Sequence, residues 1–268
     1  MAVVAEGDRY PWYDGRWLGA YASARRILAE RRPELVEPFE EALAVLRVPL
    51  SFEARELPGL LDPTSLAALD ELIRGFGLAD VTAHEATRFG RLVVHDHPVV
   101  LDVQHQLVDL VSELAGERLV PSYTFVSLYT GHGVCAVHLD APPAKWTLDL
   151  CVRQSEPWPI HLSRPVPWPV DLELPGEGWQ ARITGDPGLR FRPVTLEPGG
   201  ALFFGGSGQW HYRDPHPGGP DAYCDLVFLH FIPEGAEDLV RPETWADLFD
   251  APELAGLRYS EVRVTSEG

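Results

Sequence analysis

Apolar residues recur at three- and four-residue spacing through the first third of the chain. Trp17, Leu18, Tyr21, Ala24, Ile27 and Leu28 make one stripe, and Leu35, Val36, Phe39, Leu43 and Leu46 a second. That period puts each set on one face of a helix. Pro33 suits the first turn of the second helix. Asp62-Pro63-Thr64-Ser65 reads as a helix start ahead of Leu66, Leu69, Leu72 and Ile73, with Gly75 and Gly77 ending the pattern. A further helix is predicted over about 103–114, where Leu107, Leu110, Val111 and Leu114 line up before Gly116. Such one-sided helices need an apolar partner, and together they predict a layer that backs a sheet.

From Pro121 onward the pattern changes to short β-branched and aromatic runs punctuated by Gly and Pro. Strands are predicted at 123–129, 134–140, 146–153, 160–162, 181–184, 201–204 and 223–232. The Pro- and Trp-rich interval 156–198, which holds Trp158 and Trp168, reads as a looped insertion with short strands. Closely spaced strands predict a sandwich or barrel, and with the preceding helices an α+β protein. The expected organisation is a single domain over 1–268. Residues 1–120 form a mainly helical support layer, 121–233 the β core, and 234–268 an extension that adds a helix over one edge or at a homodimer contact.

Charge narrows the partners. Asp and Glu number 40 against 22 Lys and Arg, a formal charge of −18. Such a surface repels phosphate backbones, which argues against nucleic acid. No apolar run approaches the length of about 18 residues that a membrane helix needs. Residues 1–14 carry Glu6, Asp8 and Arg9 and lack the apolar core of a signal peptide. Cys135, Cys151 and Cys224 are scattered and form no Cys-x-x-Cys pair, so they read as small buried hydrophobes in a reducing cytoplasm.

The chemistry concentrates at His138-Leu139-Asp140 and at His211, 71 positions further on (211 − 140). Residues i and i+2 of a strand point to one side, so His138 and Asp140 can converge on one ion. A third ligand must then come from another strand of a closed sheet. Two imidazoles and a carboxylate can occupy one face of an octahedral Fe(II), leaving open positions for a co-substrate and dioxygen. The other histidines, including His84, His216 and His230, show no ligand spacing. His95-Asp96-His97 precedes Pro98 and reads as a turn. Asp149 is a candidate partner for an arginine or a substrate ammonium group.

Tyr129-Thr130-Gly131-His132-Gly133-Val134-Cys135-Ala136-Val137-His138-Leu139-Asp140, followed by Pro198-Gly199-Gly200-Ala201-Leu202-Phe203-Phe204 and His211-Tyr212-Arg213, resembles the iron(II)- and 2-oxoglutarate-dependent oxygenases. The resemblance spans about 89–233 and is nearest to bacterial members with a His-Trp-Arg-like distal motif. It implies a double-stranded β-helix (jelly roll) and a metal site at His138, Asp140 and His211. The co-substrates would be 2-oxoglutarate and dioxygen. The implied reaction is hydroxylation of a C–H bond in a small or amino-acid-like molecule, with 2-oxoglutarate converted to succinate and carbon dioxide. Asp140 fits hydroxylation or desaturation, since related halogenases lack this carboxylate. Many members carry an arginine or lysine on the last strand for the far carboxylate of 2-oxoglutarate, and this chain has none between Asp214 and Glu234. Arg213, at the strand parity of His211, is the first candidate for that role. Arg153, expected on one strand face with Thr147, Asp149 and Cys151, and Lys145 are the others. Tyr129, nine positions before His138 (138 − 129), would assist. Two rival readings are a cupin-like metalloenzyme that does not use 2-oxoglutarate and a non-catalytic jelly-roll binding module.

Overall fold

The computed structural model describes residues 15–167 and 178–257. The expectations for residues 1–14, Trp168 and the end of the tail lie outside these residues. Ten strands form two antiparallel sheets. They are β1 (Arg55–Leu57), β2 (Arg91–His95), β3 (Leu119–Thr130), β4 (Cys135–His138), β5 (Trp146–Gln154), β6 (Ile160–Pro165), β7 (Arg192–Val194), β8 (Ala201–Phe204), β9 (Gln209–Arg213) and β10 (Tyr223–Pro233). One sheet runs β1-β8-β5-β10-β3-β2 and the other β4-β9-β6-β7. From β3 onward the chain passes repeatedly from one sheet to the other, which is jelly-roll topology.

Alternation along the strands builds separate apolar layers. Leu202 and Phe204 of β8, Leu226 of β10, Leu162 of β6 and Val194 of β7 meet between the sheets and fill part of the lumen. The opposite face of the six-stranded sheet, with Val126, Leu148, Leu150, Phe203 and Val227, is covered by Leu69 and Ile73 of α3 (Pro63–Arg74) and by Val100 and Val111. The last two come from α5 (Pro98–Gln106) and α6 (Val108–Ala115), which follow the single turn α4 (Ala86–Phe89). The outer face of the four-stranded sheet packs through Val137, Leu139 and Trp210 in one cluster with α1 (Gly15–Arg31) and α2 (Val36–Leu43). The helical layer is therefore divided between both sheets rather than stacked on one.

Several sequence expectations are corrected. Residues 181–184 are helical, part of α7 (Trp179–Thr184), which is bracketed by Gly178 at φ 74° and Gly185. Four residues are too few for their alternation to tell strand from helix. The helix expected over 103–114 is two helices that meet at Leu107, the first beginning at Pro98 with His97 as its cap. The N-terminal third also contains β1 and β2, strands in a region predicted to be mainly helical. Among the described residues the tail holds the short α8 (Trp245–Leu248), between 3-10 turns at Pro242–Thr244 and Pro252–Leu254. Trp245 is wholly buried within the chain, edge-on to Trp17 at 5.6 Å and to Phe39 at 5.3 Å.

Phe39 links α2 to this tail, with Phe249 at 5.0 Å on another side. Phe39→Ala is expected to lower unfolding free energy by about 3–5 kcal/mol, as for an aromatic cavity in a rigid core. Urea denaturation followed by tryptophan fluorescence checks this, and a loss below about 1 kcal/mol would show that the site collapses around the gap.

Candidate metal centre

His138 ends β4 and stands directly opposite His211 of β9 in the antiparallel register. Their ring centroids are 4.1 Å apart. Asp140 lies two residues beyond, and its backbone N–H donates to the Gly206 carbonyl at 2.9 Å. That bond draws the chain against the β8–β9 loop. Asp140 Oδ1 then sits 3.5 Å from His138 Nε2 and 3.7 Å from His211 Nε2. Ligand atoms of the three side chains all lie within 4.8 Å of one another, the one such group of three among the described residues.

Both imidazoles are oriented by backbone carbonyls two residues before them. His138 Nδ1 is 2.8 Å from the Ala136 carbonyl, and His211 Nδ1 is 2.9 Å from that of Gln209. A carbonyl only accepts, so each Nδ1 carries hydrogen and each Nε2 is turned to the site. Burial, reinforced by the charge of His138, holds His211 down at about 4, so its ring is neutral. At His138 burial is outweighed by Cys135 and Asp140, which push it up to about 10. For Asp140 burial is likewise outweighed, here by His211 and His138, and the group stays ionised. An ion bound here would take the place of the proton on His138, since metal binding requires deprotonated ligands. Two imidazoles and one carboxylate, open on one side, suit Fe(II).

A second layer orients the carboxylate. The Thr147 hydroxyl donates to Asp140 Oδ2 at 3.3 Å and lies 3.1 Å from His230 Nδ1. A hydroxyl has a single hydrogen, so His230 Nδ1 must be the donor to Thr147. His230 Nε2 is then a bare acceptor, buried and without a hydrogen-bond partner. Gly206 closes the cradle. A Cβ there would fall 2.4 Å from Asp140 Oδ2 and 2.5 Å from both the Ala144 carbonyl and Thr147 Oγ1.

Further along the lumen, Arg213 Nη2 donates to Asp149 Oδ2 at 2.7 Å and Nη1 donates to the Trp158 carbonyl. Both side chains of this ion pair are almost completely buried. Its guanidinium also lies over the Trp158 ring at 5.2 Å, and Tyr129 meets the same ring edge-on at 4.8 Å. Arg213 and Tyr129 are thus brought together on the metal side of the sheets, and Asp149 has the arginine partner considered from sequence. Burial, against the opposing pull of Arg91, raises the Tyr129 phenol, which keeps its proton.

Arg153 and Lys145 are elsewhere. The β5–β10 register shifts between Asp225 and Leu226, which pair with Arg153 and Cys151, so Val152 is the extra residue of a bulge. The bulge breaks the expected alternation. Arg153 bonds Asp225 and lies 3.5 Å from Asp70 of α3, on the helix-covered face. Lys145 is buried against Glu117 at 2.5 Å and the Val45 carbonyl at 2.8 Å. Cys151 and Cys224 are buried as expected, whereas half-buried Cys135 lies 3.9 Å from His138 Nδ1.

Sequence reasoning missed Arg91 and His230. Arg91, opposite Tyr129 in register, donates Nη1 to the Tyr129 hydroxyl at 2.8 Å and pairs through Nε with Glu85. The run Arg91-Leu92-Val93-Val94-His95 after Gly90 carried a strand signal that helical neighbours obscured. His230 sits in β10 among apolar residues, at the parity of Phe228 rather than of Val227 and Leu229.

No family model and no curated protein matches the sequence. Solved structures do match. HygX from Streptomyces hygroscopicus, with nickel and 2-oxoglutarate bound, superposes with a TM-score of 0.54 at 11% identity, over 69% of this chain and 84% of that one. The fold is the double-stranded β-helix of the 2-oxoglutarate-dependent oxygenases. A second HygX structure, with nickel, 2-oxoglutarate and hygromycin B, gives 0.53 at the same identity and coverage. The epimerase SnoN, in complex with Fe3+, alpha ketoglutarate and nogalamycin RO, gives 0.50 at 18% identity, over 76% of this chain and 90% of that one. At these identities the likeness is one of fold.

Gly206→Ala is expected to push the Asp140 carboxylate out of line and weaken Fe(II) binding by about 10–100-fold, the range seen when outer-shell partners of a metal are disturbed. Anaerobic titration calorimetry measures it, with circular dichroism as the check on folding. An unchanged affinity would show that the loop gives way instead of the carboxylate.

Proposed function

We propose that this protein is a non-haem iron(II)- and 2-oxoglutarate-dependent oxygenase that oxidises, by hydroxylation, a C–H bond of a small or amino-acid-like molecule. The convergence of His138, Asp140 and His211 within 4.8 Å at one side of a jelly-roll lumen carries this reading. Bound there, Fe(II) would supply the oxidising chemistry with 2-oxoglutarate and dioxygen as co-substrates. The chain's own part is to hold three ligands on one face, to fix Asp140 through Thr147 and Gly206, and to orient both co-substrate and substrate.

For the far carboxylate of 2-oxoglutarate, Arg213 is the proposed partner, with the protonated Tyr129 hydroxyl beside it. Arg213 lies two residues from His211 on the same strand, hence on the same face. Trp158 and Asp149 hold its guanidinium in place, so little rotamer freedom is lost on binding an anion. Arg91, tied to the same tyrosine, is the alternative cation.

Two experiments test this reading. His211→Ala should abolish both Fe(II) binding and succinate release from 2-oxoglutarate, and full retention of iron and turnover would place the centre elsewhere. Arg213→Leu alone would strand buried Asp149, at about 3–5 kcal/mol of stability. The informative variant is therefore Arg213→Met with Asp149→Leu, which replaces the pair by apolar side chains. Its KM for 2-oxoglutarate is expected to rise by about thirtyfold to a few thousandfold, the loss of a charge contact worth about 2–5 kcal/mol, with Fe(II) affinity nearly unchanged. An unaltered KM would transfer the role to Arg91.

A further inference from the structure

The lumen side of the six-stranded sheet carries a row of rings that metal and 2-oxoglutarate binding leave without a task. Phe125 of β3 and Phe228 of β10 are cross-strand partners, 4.7 Å between centroids and 23° between planes. His95 of β2, opposite Phe125 in register, adds a ring at 6.1 Å, and His84 stacks on His95 at 6.1 Å and 20°. His230 ends the row toward the metal centre, 5.5 Å from Phe125 and within 9° of parallel to Phe228. Phe125 and Phe228 are half-exposed and His84 and His95 exposed. Core aromatics are closed over by their neighbours, whereas these four rings keep accessible surface, and His230 at the end of the row connects through Thr147 to Asp140.

Two properties narrow what such a shelf accepts. First, its imidazoles are neutral: partial desolvation of His84 and His95, and full burial of His230, hold all three below the ordinary histidine range. Arg91, whose guanidinium lies over the Phe125 ring at 5.2 Å, is already paired with Glu85. Second, the hydrogen-bond chain from Asp140 through Thr147 leaves His230 Nε2 as an acceptor with no donor. A buried acceptor without a partner is unfavourable until a donor is placed on it. Accessible aromatic rings, some parallel and some tilted to one another, favour another aromatic ring, met stacked or edge-on, over a flexible chain.

We propose that this shelf binds the prime substrate, and that the substrate is an uncharged aromatic ring system bearing a hydroxyl group that donates to His230 Nε2. Phe125 and Phe228 supply the stacking surface, and His230 fixes the edge of the ring nearest the metal. The identity of the triad as the reaction centre rests on the oxygenase reading above, but the shelf and its acceptor stand on their own geometry.

The test uses the full chain with Ni(II) and 2-oxoglutarate, whose own binding is measured on the same samples by calorimetry. Three probes are compared by calorimetry and ligand-observed NMR: 2-naphthol, 2-methoxynaphthalene and methyl glucoside. The expected result is that 2-naphthol binds, and that the methoxy compound, which lacks the donor, binds about tenfold more weakly. Methyl glucoside should not compete. Phe125→Leu with Phe228→Leu should weaken 2-naphthol by about tenfold or more without changing Ni(II) affinity. His95→Leu, at an exposed position, should weaken it by a smaller factor and serves where the double variant does not fold. His230→Phe should erase the difference between the two naphthalenes. Tighter binding of methyl glucoside than of 2-naphthol would overturn the aromatic class. Binding of 2-naphthol that none of the variants alters, or no binding at all while Ni(II) and 2-oxoglutarate still bind, would overturn the shelf and leave the oxygenase reading in place. Loss of Ni(II) and 2-oxoglutarate binding in the unaltered chain, with 2-naphthol binding retained and sensitive to the variants, would overturn the oxygenase reading and leave the shelf.

Discussion

The cross-strand pairing of β4 with β9 is the constraint on which the candidate centre depends. It sets His138 directly opposite His211, although 73 residues separate them (211 − 138). Neither histidine makes a site alone. The pairing exists because both strands bury Val137, Leu139 and Trp210 against α1 and α2 on one side, which leaves the histidines to face the other. A slip by one residue would turn His138 and His211 into the helical layer and Val137 into the lumen. The N-terminal helices, far from His138 and His211 in sequence, therefore bear on the candidate centre through register.

Buried charge is handled by local compensation. Arg213 is matched by Asp149, Arg91 by Glu85 and Lys145 by Glu117, each pair largely or partly removed from water. Desolvating such pairs is unfavourable unless hydrogen bonds are nearly complete. Here the Trp158 carbonyl, the Tyr129 hydroxyl and the Val45 carbonyl add further bonds, while Asp149 Oδ1 has no hydrogen-bond partner. Two of the three cations face the lumen, whereas Lys145 stays on the far side of the sheet. The Asp140–Thr147–His230 chain belongs to the same logic, since it orders a carboxylate that must stay ionised in a buried place. It ends at His230 Nε2, which is buried and has no hydrogen-bond partner.

HygX and SnoN share the fold at 11% and 18% identity, so the scaffold tolerates near-complete replacement of its side chains. What distinguishes one such protein from another then lies in the few residues that face the lumen. In this chain they fall into distinct zones: the triad with Thr147 and His230, the arginines with Tyr129, and the open ring array on β2, β3 and β10. All of them occupy inward-facing positions, at different rungs and on both sheets.

The sequence by itself determined what depends on neighbours along the chain. Helical periodicity marked α1, α2 and α3, the Asp62 cap marked a helix start, and period-two alternation marked β3, β5 and β10. His138 and Asp140 announced themselves because two residues apart on a strand is a local relation. Only the tertiary structure decided which distant groups meet. The bulge at Val152 removed Arg153 from the lumen, Glu117 claimed Lys145, and Asp149 claimed Arg213, none of which is encoded in spacing. Arg91 and His230 entered the site from strands whose own text gave no sign of a partner. Local pattern sets the direction of a side chain relative to its own backbone, whereas register, bulges and the closure of two sheets set what lies in that direction.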